Sequence, residues 1–222
     1  MWKHNWGLAK AVKRAKLEAE FLRRPIRACV TEKRGHVIGI PPNIINRKDR
    51  IFEMLPNPCR TVVEIGSQQG WFAYRLLKFT NAERIFCVDP WEGKTIDGEG
   101  GYNYTVWQKN LEPWIKQKRA IPIRLPSKNA AQDWESDQEI DFLFIDGDHR
   151  KAAVLLDLES WYPFVRSKGL VAGHDYTGVW GQDVQAALRV FLKGKKVQLK
   201  HDPIYNYSGN KDPCDSWWFH KP

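Results

Sequence analysis

The chain has 222 residues, a length typical of one domain built around a single hydrophobic core. Hydrophobic residues make up 42% of the sequence and aromatic residues 13%, which excludes an intrinsically disordered chain. The formal net charge is +9, and ten Lys and Arg against three Glu place +7 of it in residues 1–35. No apolar run approaches the ~20 residues of a membrane-spanning helix, and the N-terminus lacks the apolar core of a signal peptide. We therefore expect a cytoplasmic protein without a membrane span.

The basic, Trp-containing segment of residues 1–40 is predicted to be a helical extension of the main domain, residues 41–222. Its positive charge is typical of a segment that contacts nucleic acid or another anionic surface. The alternative is a solvated amphipathic helix that packs its apolar residues on the body of the protein. The low charge of the remaining sequence favours this alternative. The extension is also a candidate contact in a homo-oligomer.

Strands and helices are predicted to alternate along the main domain. Apolar, β-branched runs predict five strands, and helical spacing of apolar residues between these runs predicts the helices. The third strand contains Pro122, which indicates a sheet edge or the start of a strand. The predicted strands are residues 61–66, 84–90, 120–126, 140–146 and 169–175, and the helices include residues 70–79, 149–165 and 182–193.

Short connections between alternating strands and helices are typical of a mostly parallel, doubly wound α/β sheet. Two further β-like runs, "VQLKHDPIY" and "SWWFHK", close the chain without a helix between them. They predict a C-terminal antiparallel β-hairpin on the same sheet, which then has seven strands in a Rossmann-like arrangement.

The end of the first strand, "VVEIGSQQGWF", has the character of a cofactor-binding turn. Gly66 and Gly70 allow a sharp turn and a close backbone approach to a ligand, although the same pattern fits an ordinary tight turn. The spacing differs from phosphate-binding loops, so a cofactor without phosphate groups fits better. Asp89 ends the second strand, where an acid either binds ribose hydroxyls or caps the turn before a proline. Glu64 is a charge inside an apolar strand, which indicates contact with a cationic ligand group or with local N–H groups.

Ionisable residues also follow the fourth and fifth strands. Asp146, Asp148 and His149 come directly after one apolar run, and His174 and Asp175 come after the other. Because parallel neighbouring strands end at the same edge of a sheet, we expect these groups to converge. Crowded carboxylates repel one another unless a cation or proton intervenes, and a hard divalent cation such as Mg²⁺ satisfies them. The alternative for Asp148 and His149 is a role at the start of the following helix.

These motifs together resemble the class I S-adenosylmethionine-dependent methyltransferases. E-x-G-x-x-x-G, the acid ending the second strand and the pair "IDGDH" and "GHDY" are similar to cation-dependent O-methyltransferases of natural-product sugars and cephalosporin hydroxylase-like proteins. The resemblance covers residues 50–222 and implies that the cofactor is S-adenosylmethionine. It implies that the methionine portion of the cofactor is lined by Glu64, Gly66, Ser67 and Gly70. It implies that Asp89 holds the ribose. It further implies that the adenine is contacted by residues after the second and third strands, namely Trp91, Ser127 and Lys128. For Trp91, packing in the core is the alternative.

The resemblance also implies roles at the fourth and fifth strand ends. Asp146 and Asp175 match the metal ligands, and His149 matches a basic catalytic residue, with His174 as the other catalytic candidate. A bound metal lowers the pKa of an acceptor hydroxyl, and a histidine has a suitable pKa to remove its proton. The family places two oxygen ligands where this chain has His174 and Asp175. That departure leaves open Mg²⁺, a softer metal such as Mn²⁺ or Fe²⁺, or no metal.

The predicted function is therefore S-adenosylmethionine-dependent O-methylation of a small-molecule or glycan hydroxyl. One alternative is an RNA methyltransferase guided by the basic extension. The sequence lacks the Asn/Asp-Pro-Pro-aromatic motif of amino-methylating enzymes, which argues against methylation of a base. Another is a cofactor-binding interaction module without catalysis. The glycine-rich segment of residues 92–107 is predicted to form a flexible lid. Its Tyr102, Tyr104 and Trp107 either stack on the acceptor or anchor the segment to the core.

Overall fold

The computed structural model of the protein describes residues 47–95, 98–135, 137–201 and 215–222. The predicted N-terminal extension, residues 1–40, lies outside these residues. The described part begins with a 3-10 helix, Arg47–Met54. Within the described ranges, no helix is both long enough and apolar enough to cross a membrane.

The main sheet has seven strands. In chain order they are β1 (Thr61–Ile65), β2 (Arg84–Val88), β5 (Ala120–Ile123), β6 (Ile140–Ile145), β7 (Val165–Gly173), β8 (Lys200–His201) and β9 (Trp217–His220). Their spatial order is β5-β2-β1-β6-β7-β9-β8. The first five are parallel, and β9 is antiparallel to both of its neighbours. The predicted doubly wound sheet with a closing antiparallel pair is confirmed, and the strand containing Pro122 is at the sheet edge.

Five α-helices connect or follow these strands in the described residues. They are α1 (Trp71–Phe79), α2 (Gly100–Lys116), α3 (Ser127–Gln132), α4 (Lys151–Trp161) and α5 (Gly181–Leu192). The short helix α3 has no counterpart in the predicted elements. The predicted helix over residues 149–165 ends earlier, because Pro163 lies in a 3-10 turn, Tyr162–Phe164, that leads into β7.

The predicted lid over residues 92–107 is partly regular structure. Two short strands, β3 (Lys94–Thr95) and β4 (Gly98–Glu99), pair antiparallel, and α2 starts immediately afterwards. The second half of the predicted lid is therefore the first part of a 17-residue helix. The prediction of a long flexible loop is wrong for this half.

The two central strands explain the continuous apolar runs of the sequence. β1 and β6 are buried at every position because helices cover both faces of the sheet. On one face, the rings of Phe72 and Phe144 stack with centroids 3.8 Å apart. On the other, Val63, Leu143 and Trp161 belong to one large apolar cluster. This rigid centre fixes the ends of the strands.

The register of the parallel strands aligns four strand ends. Ile65 lies beside Val88 and Ile145, and Ile145 lies beside Gly173. The residues that follow these four positions therefore share one edge of the sheet, which we call the carboxyl edge. In doubly wound sheets this edge is where ligands bind.

Candidate active site

The loop after β1, residues 66–70, which we call the glycine loop, turns through left-handed backbone conformations. Gly66, Gln68 and Gly70 have φ angles of 84°, 42° and 77°. The N–H of Gly66 donates to the carbonyl of Val88 at 2.9 Å. A Cβ atom on Gly66 would lie 2.3 Å from the carbonyl oxygen of Asp146. Only glycine therefore allows the loop to rest directly against the end of β6.

Buried polar side chains hold the glycine loop to the strand before it. Glu64 is 2% exposed, and the hydroxyl of Ser67 donates to its Oε2 at 2.5 Å. The indole N–H of Trp107 donates in turn to the Ser67 hydroxyl at 3.2 Å. Burial and the charge of Glu64 raise the pKa of the neighbouring Cys87 thiol. Glu64 thus bonds a local group, here a hydroxyl, and its contact with the methionine portion of a cofactor stays a prediction.

Asp89 connects the end of β2 to the glycine loop. Its Oδ2 accepts the N–H of Gln68 at 3.0 Å, and its Oδ1 accepts the N–H of Trp91 at 2.7 Å. The predicted turn-capping bond is therefore present. Burial raises the pKa of the Asp89 carboxyl, although these two backbone donors oppose the shift. Each carboxylate oxygen can accept more than one hydrogen bond, so the residue is chemically suited to ribose hydroxyls as well.

Three aromatic residues near the glycine loop belong to the core. Trp91 is 2% exposed, and its indole N–H donates to the carbonyl of Gln68 at 2.6 Å. Its ring lies 4.8 Å from that of Tyr104 and 5.4 Å from that of Trp107, measured between centroids. The core-packing alternative is therefore confirmed for Trp91. Tyr104 and Trp107 are also buried, so they anchor α2, whereas Tyr102 is partly exposed.

Ser127, predicted to lie near the adenine, is the first residue of α3. Its hydroxyl accepts the indole N–H of Trp161 at 2.9 Å and hydrogen-bonds the carboxyl of Asp157. Burial raises the pKa of Asp157 from 3.8 to about 6, and the Ser127 hydroxyl opposes this shift. These bonds connect α3 to α4. A contact of Ser127 with adenine stays a prediction, as does that of the exposed Lys128.

At the ends of β6 and β7, three ionisable side chains meet. One ligand atom from each of Asp146, His149 and Asp175 lies within 4.8 Å of the other two, and we call these residues the acid–imidazole cluster. Nε2 of His149 is 3.4 Å from Oδ2 of Asp175. The expected convergence of the fourth and fifth strand ends is confirmed. It follows from the pairing of β6 with β7, which places their ends side by side.

Two further predicted residues differ in their position relative to this cluster: His174 contacts its two acids, and Asp148 pairs with a residue outside it. His174 is 6% exposed, and its Nδ1 lies 3.3 Å from Oδ2 of Asp175 and 3.9 Å from Oδ1 of Asp146. Asp148 instead faces Arg150, whose guanidinium bonds its carboxylate and lowers its pKa. It also accepts the backbone N–H of Arg150 at the start of α4. Asp148 thus lies just before the helix and bonds the residue that precedes it, Arg150, while a capping bond to the N–H groups of α4 stays a prediction.

The chemistry of the cluster fits a divalent cation. Two carboxylates and one imidazole are donors that Mn²⁺ and Fe²⁺ accept, and the two carboxylates also suit Mg²⁺. The side chains of His149 and Asp175 are 25% and 10% exposed, so the cluster is shielded from water but not sealed. Asp175 also has a φ of 58°, a strained conformation for a non-glycine residue that is often associated with functional sites.

Trp180 is a candidate site residue for which the sequence suggested no role. Its ring centroid lies 6.1 Å from that of His149. The preceding loop is fixed to the segment before β9: the Tyr176 N–H donates to the Asp215 carbonyl, and the Thr177 hydroxyl donates to the Asp215 carboxylate. An aromatic residue between the end of β7 and the next helix was the available signal, since such loops lie at the carboxyl edge.

Comparison with known proteins places this site in a described family. A family model described as a methyltransferase domain matches residues 63–176, slightly more than half of the chain. A Sinorhizobium fredii protein called "Uncharacterized protein y4gI" is 27% identical over 131 residues, which is 54% of this chain. The chain spans only 14% of the length of that relative.

Solved structures show the same fold at low sequence identity. An O-methyltransferase from Bacillus cereus in complex with SAH has a TM-score of 0.58 at 13% identity, with 95% of this chain and 97% of that chain covered. An rRNA methylase from Streptococcus thermophilus has a TM-score of 0.56 at 12% identity, with coverage of 78% and 92%. Because these two proteins are described by different acceptors, the fold alone does not identify the acceptor.

Proposed function

We propose that this chain, which belongs to the family described as a methyltransferase domain, is an S-adenosylmethionine-dependent methyltransferase that methylates a hydroxyl oxygen of a small molecule or glycan. A divalent cation and a histidine base assist the transfer. One observation carries the proposal: the acid–imidazole cluster lies at the carboxyl edge, and the glycine loop touches the backbone of Asp146, a member of that cluster. A methyl donor held by the loop and an acceptor held by the cluster would therefore be neighbours.

The cofactor side of the site consists of the ends of β1 and β2. Gly66 and Gly70 remove side chains from the turn, so that the backbone can approach the methionine portion of the cofactor. Asp89, fixed by two backbone N–H groups, presents its carboxylate for the ribose hydroxyls. S-adenosylmethionine supplies an electrophilic methyl group bound to a positively charged sulfur.

Asp146 and Asp175 would hold the cation. Their carboxylates come from two neighbouring strands, and the backbone of Asp146 is fixed by its N–H, which donates to the Ile65 carbonyl at 2.9 Å. A bound cation lowers the pKa of a coordinated hydroxyl and orients it. The two carboxylates together hold the acceptor side of the site at a negative charge that complements this cation.

His149 acts as the base in this proposal. Its Nε2 lies 3.4 Å from the Asp175 carboxylate, and the tautomer with the hydrogen on Nε2 would leave Nδ1 as the basic atom. Nδ1 of His149 would accept the proton of the acceptor hydroxyl as that oxygen takes the methyl group, which bound S-adenosylmethionine would supply from its sulfur. The imidazolium that forms lies beside the negative charge of Asp175, which stabilises it.

The test uses the full-length chain and radiolabelled S-adenosylmethionine, with panels of catechols, sugar-containing small molecules and RNA as acceptors. We expect transfer to a hydroxyl acceptor that stops in the presence of EDTA and returns with Mn²⁺ or Mg²⁺. Asp146→Asn should abolish it, while Asp148→Asn, a nearby carboxylate outside the cluster, should leave it intact.

Other results would change the proposal in defined ways. Undiminished turnover in the presence of EDTA would remove the cation from the mechanism. Methylation of RNA that disappears when residues 1–40 are deleted would favour the nucleic-acid alternative. Micromolar binding of S-adenosylmethionine by calorimetry without transfer to any acceptor class would favour the non-catalytic alternative.

A further inference from the structure

We propose that His174 is a positioning residue that holds the Asp175 carboxylate in place for cation binding, and that it is not a catalytic base. This inference rests on the proposed cation site. It assigns a different role from the catalytic one predicted for His174. The observations that carry it are the burial of the ring, its contacts with both acids of the cluster, and the anchoring of its backbone.

The backbone of His174 is fixed from both sides of β7. Its N–H donates to the carbonyl of Ile145 in β6 at 3.2 Å. Its carbonyl accepts the indole N–H of Trp217 in β9 at 3.1 Å. The preceding Gly173 allows this, because a Cβ atom there would lie 2.4 Å from Cζ2 of Trp217. The direction in which the imidazole leaves the backbone is therefore set by two neighbouring strands.

The ring of His174 lies between the two acids. Nδ1 is 3.3 Å from Oδ2 of Asp175 and 3.9 Å from Oδ1 of Asp146. Because an ionised carboxylate only accepts hydrogen bonds, the tautomer of His174 with the hydrogen on Nδ1 would donate to Asp175. This donor gives the negative charge at the cluster a partner supplied by the protein. It also limits the rotation of the Asp175 side chain.

The side chains of His174 and His149 differ in how deeply they are buried. The side chain of His174 is 6% exposed, whereas that of His149 is 25% exposed and faces the partly exposed loop at Trp180. A base must come within hydrogen-bonding distance of the acceptor hydroxyl, and the more exposed His149 meets this condition better than a buried ring that contacts both acids. Groups that orient metal ligands from behind are typically buried in this way.

The Asp175 backbone explains why such support is needed. Its φ of 58° lies in the left-handed region, which residues with a side chain adopt less readily than glycine. A strained residue keeps its conformation only when its surroundings fix it. The hydrogen bond from His174 and the contact from His149 to the same Oδ2 atom are two of the contacts that do so.

The experiment measures Mn²⁺ affinity directly, so that its result does not depend on turnover. Free Mn²⁺ is followed by electron paramagnetic resonance in titrations of the full-length chain with excess S-adenosylhomocysteine at one pH. His174→Phe keeps a ring and removes the donor, and we expect its affinity to fall about 10- to 100-fold. His174→Asn restores an N–H near the position of Nδ1, and its affinity should stay near that of the wild type. His220→Asn, at an exposed position on β9, is the matched control.

The results of these titrations distinguish a positioning role of His174 from a purely structural one. Unchanged Mn²⁺ affinity in folded His174→Phe, with Asp146→Asn showing no binding, would overturn the positioning role and leave the cation site standing. A lower unfolding temperature without a change in affinity would mean that the ring only stabilises the fold, which also overturns it. If the wild type transfers methyl groups but binds no Mn²⁺ or Mg²⁺, the cation part of the proposed function fails, and this inference fails with it. If His174→Phe misfolds, Trp217→Phe, which removes the N–H bonded to the His174 carbonyl, should lower the affinity in its place.

Discussion

The two halves of the carboxyl edge use their polar groups in opposite ways. On the cofactor side, polar groups of the same region bond one another: Ser67 donates to Glu64, Trp107 donates to Ser67, and backbone N–H groups donate to Asp89. On the acceptor side, Asp146, His149 and Asp175 turn ionisable atoms toward one another within 4.8 Å. The cofactor side is thus held by its own hydrogen bonds, whereas the proposed acceptor side would gain charge compensation from a bound cation.

This comparison predicts that substitutions on the cofactor side act mainly on folding, whereas those on the acceptor side act mainly on cation binding. Gly66→Ala should have the largest effect. It adds a Cβ 2.3 Å from the Asp146 carbonyl oxygen at a φ of 84°, so we expect destabilisation above about 3 kcal/mol and loss of cofactor binding. Thermal unfolding and calorimetry with S-adenosylmethionine measure both.

Gly93→Ala is the matched control for this substitution. Gly93 also has a positive φ, 69°, but a Cβ there would have no neighbour within 4 Å. The backbone strain is therefore similar, and the difference between the two variants isolates the contact with β6. Equal destabilisation in both would show that this contact does not matter.

On the acceptor side, Asp146→Asn and Asp175→Asn should separate cation binding from folding. Asn keeps the size of each side chain and tolerates a left-handed backbone, but it removes one negative charge. We expect Mn²⁺ affinity to fall at least about 100-fold, because loss of a ligand should exceed the effect of its supporting contacts. Unfolding temperature should change little. If unfolding changes and affinity does not, the two acids are structural and the contrast between the halves disappears.

Asp157 is a buried acid near this edge for which we expect an effect on folding stability and not on cation binding. Its pKa of about 6 exceeds the ordinary 3.8, so its contribution to stability is fully present below pH 3.8 and is lost as the pH rises through 6. At pH 7.5 the buried charge opposes folding. Asp157→Asn should therefore stabilise the protein by about 2 kcal/mol at pH 7.5, and this gain should shrink toward pH 5.

Urea unfolding of both proteins between pH 5 and 8 measures this difference. Asp148 provides a control of opposite sign, since the guanidinium of Arg150 lowers its pKa. Removing that charge should favour unfolding at neutral pH, by a small amount because the pair is exposed to solvent. A pH-independent effect of Asp157→Asn would exclude a buried charge as its cause.

Ser67→Ala should have the smallest effect of the four. It removes a buried hydroxyl that donates to Glu64 and accepts from Trp107, and we expect a loss of about 1–2 kcal/mol in unfolding free energy. Ser167→Ala removes an exposed hydroxyl that donates to the Pro222 carbonyl, and it should change stability by less than about 0.5 kcal/mol. Equal values would mean that the Ser67 bonds add nothing beyond those of a surface hydroxyl.

The parallel part of the sheet could be predicted because its signals are local. The run Ile140–Ile145 is buried along its whole length, and such a run between helical segments is typical of a central parallel strand. The convergence of Asp146 and Asp175 then followed from adjacent strand ends. The position of β9 between β7 and β8 could not be read in the same way, because strand partners distant in sequence are chosen by packing.

Burial and side-chain direction were the properties that the sequence left open. Tyr104 and Trp107 have the composition of an acceptor-binding lid, yet both are buried, Trp107 directly against the glycine loop. His149 and His174 have the same side chain beside similar acids, and only the tertiary structure distinguishes the more exposed ring from the enclosed one. The position of Trp180 in the loop after β7 indicates the carboxyl edge, but it does not indicate that the ring faces His149 there.

The left-handed backbone at Asp175 restricts how this enzyme can evolve. Glycine, asparagine and aspartate are the residues that tolerate such a conformation, and two of them carry a side-chain oxygen. Glutamate keeps the charge but does not share this tolerance, so a change that looks conservative is disfavoured here. The backbone conformation at this position therefore favours side chains with an oxygen donor, independently of any requirement of catalysis. A lineage that lost its cation would still tend to keep Asp or Asn at this position.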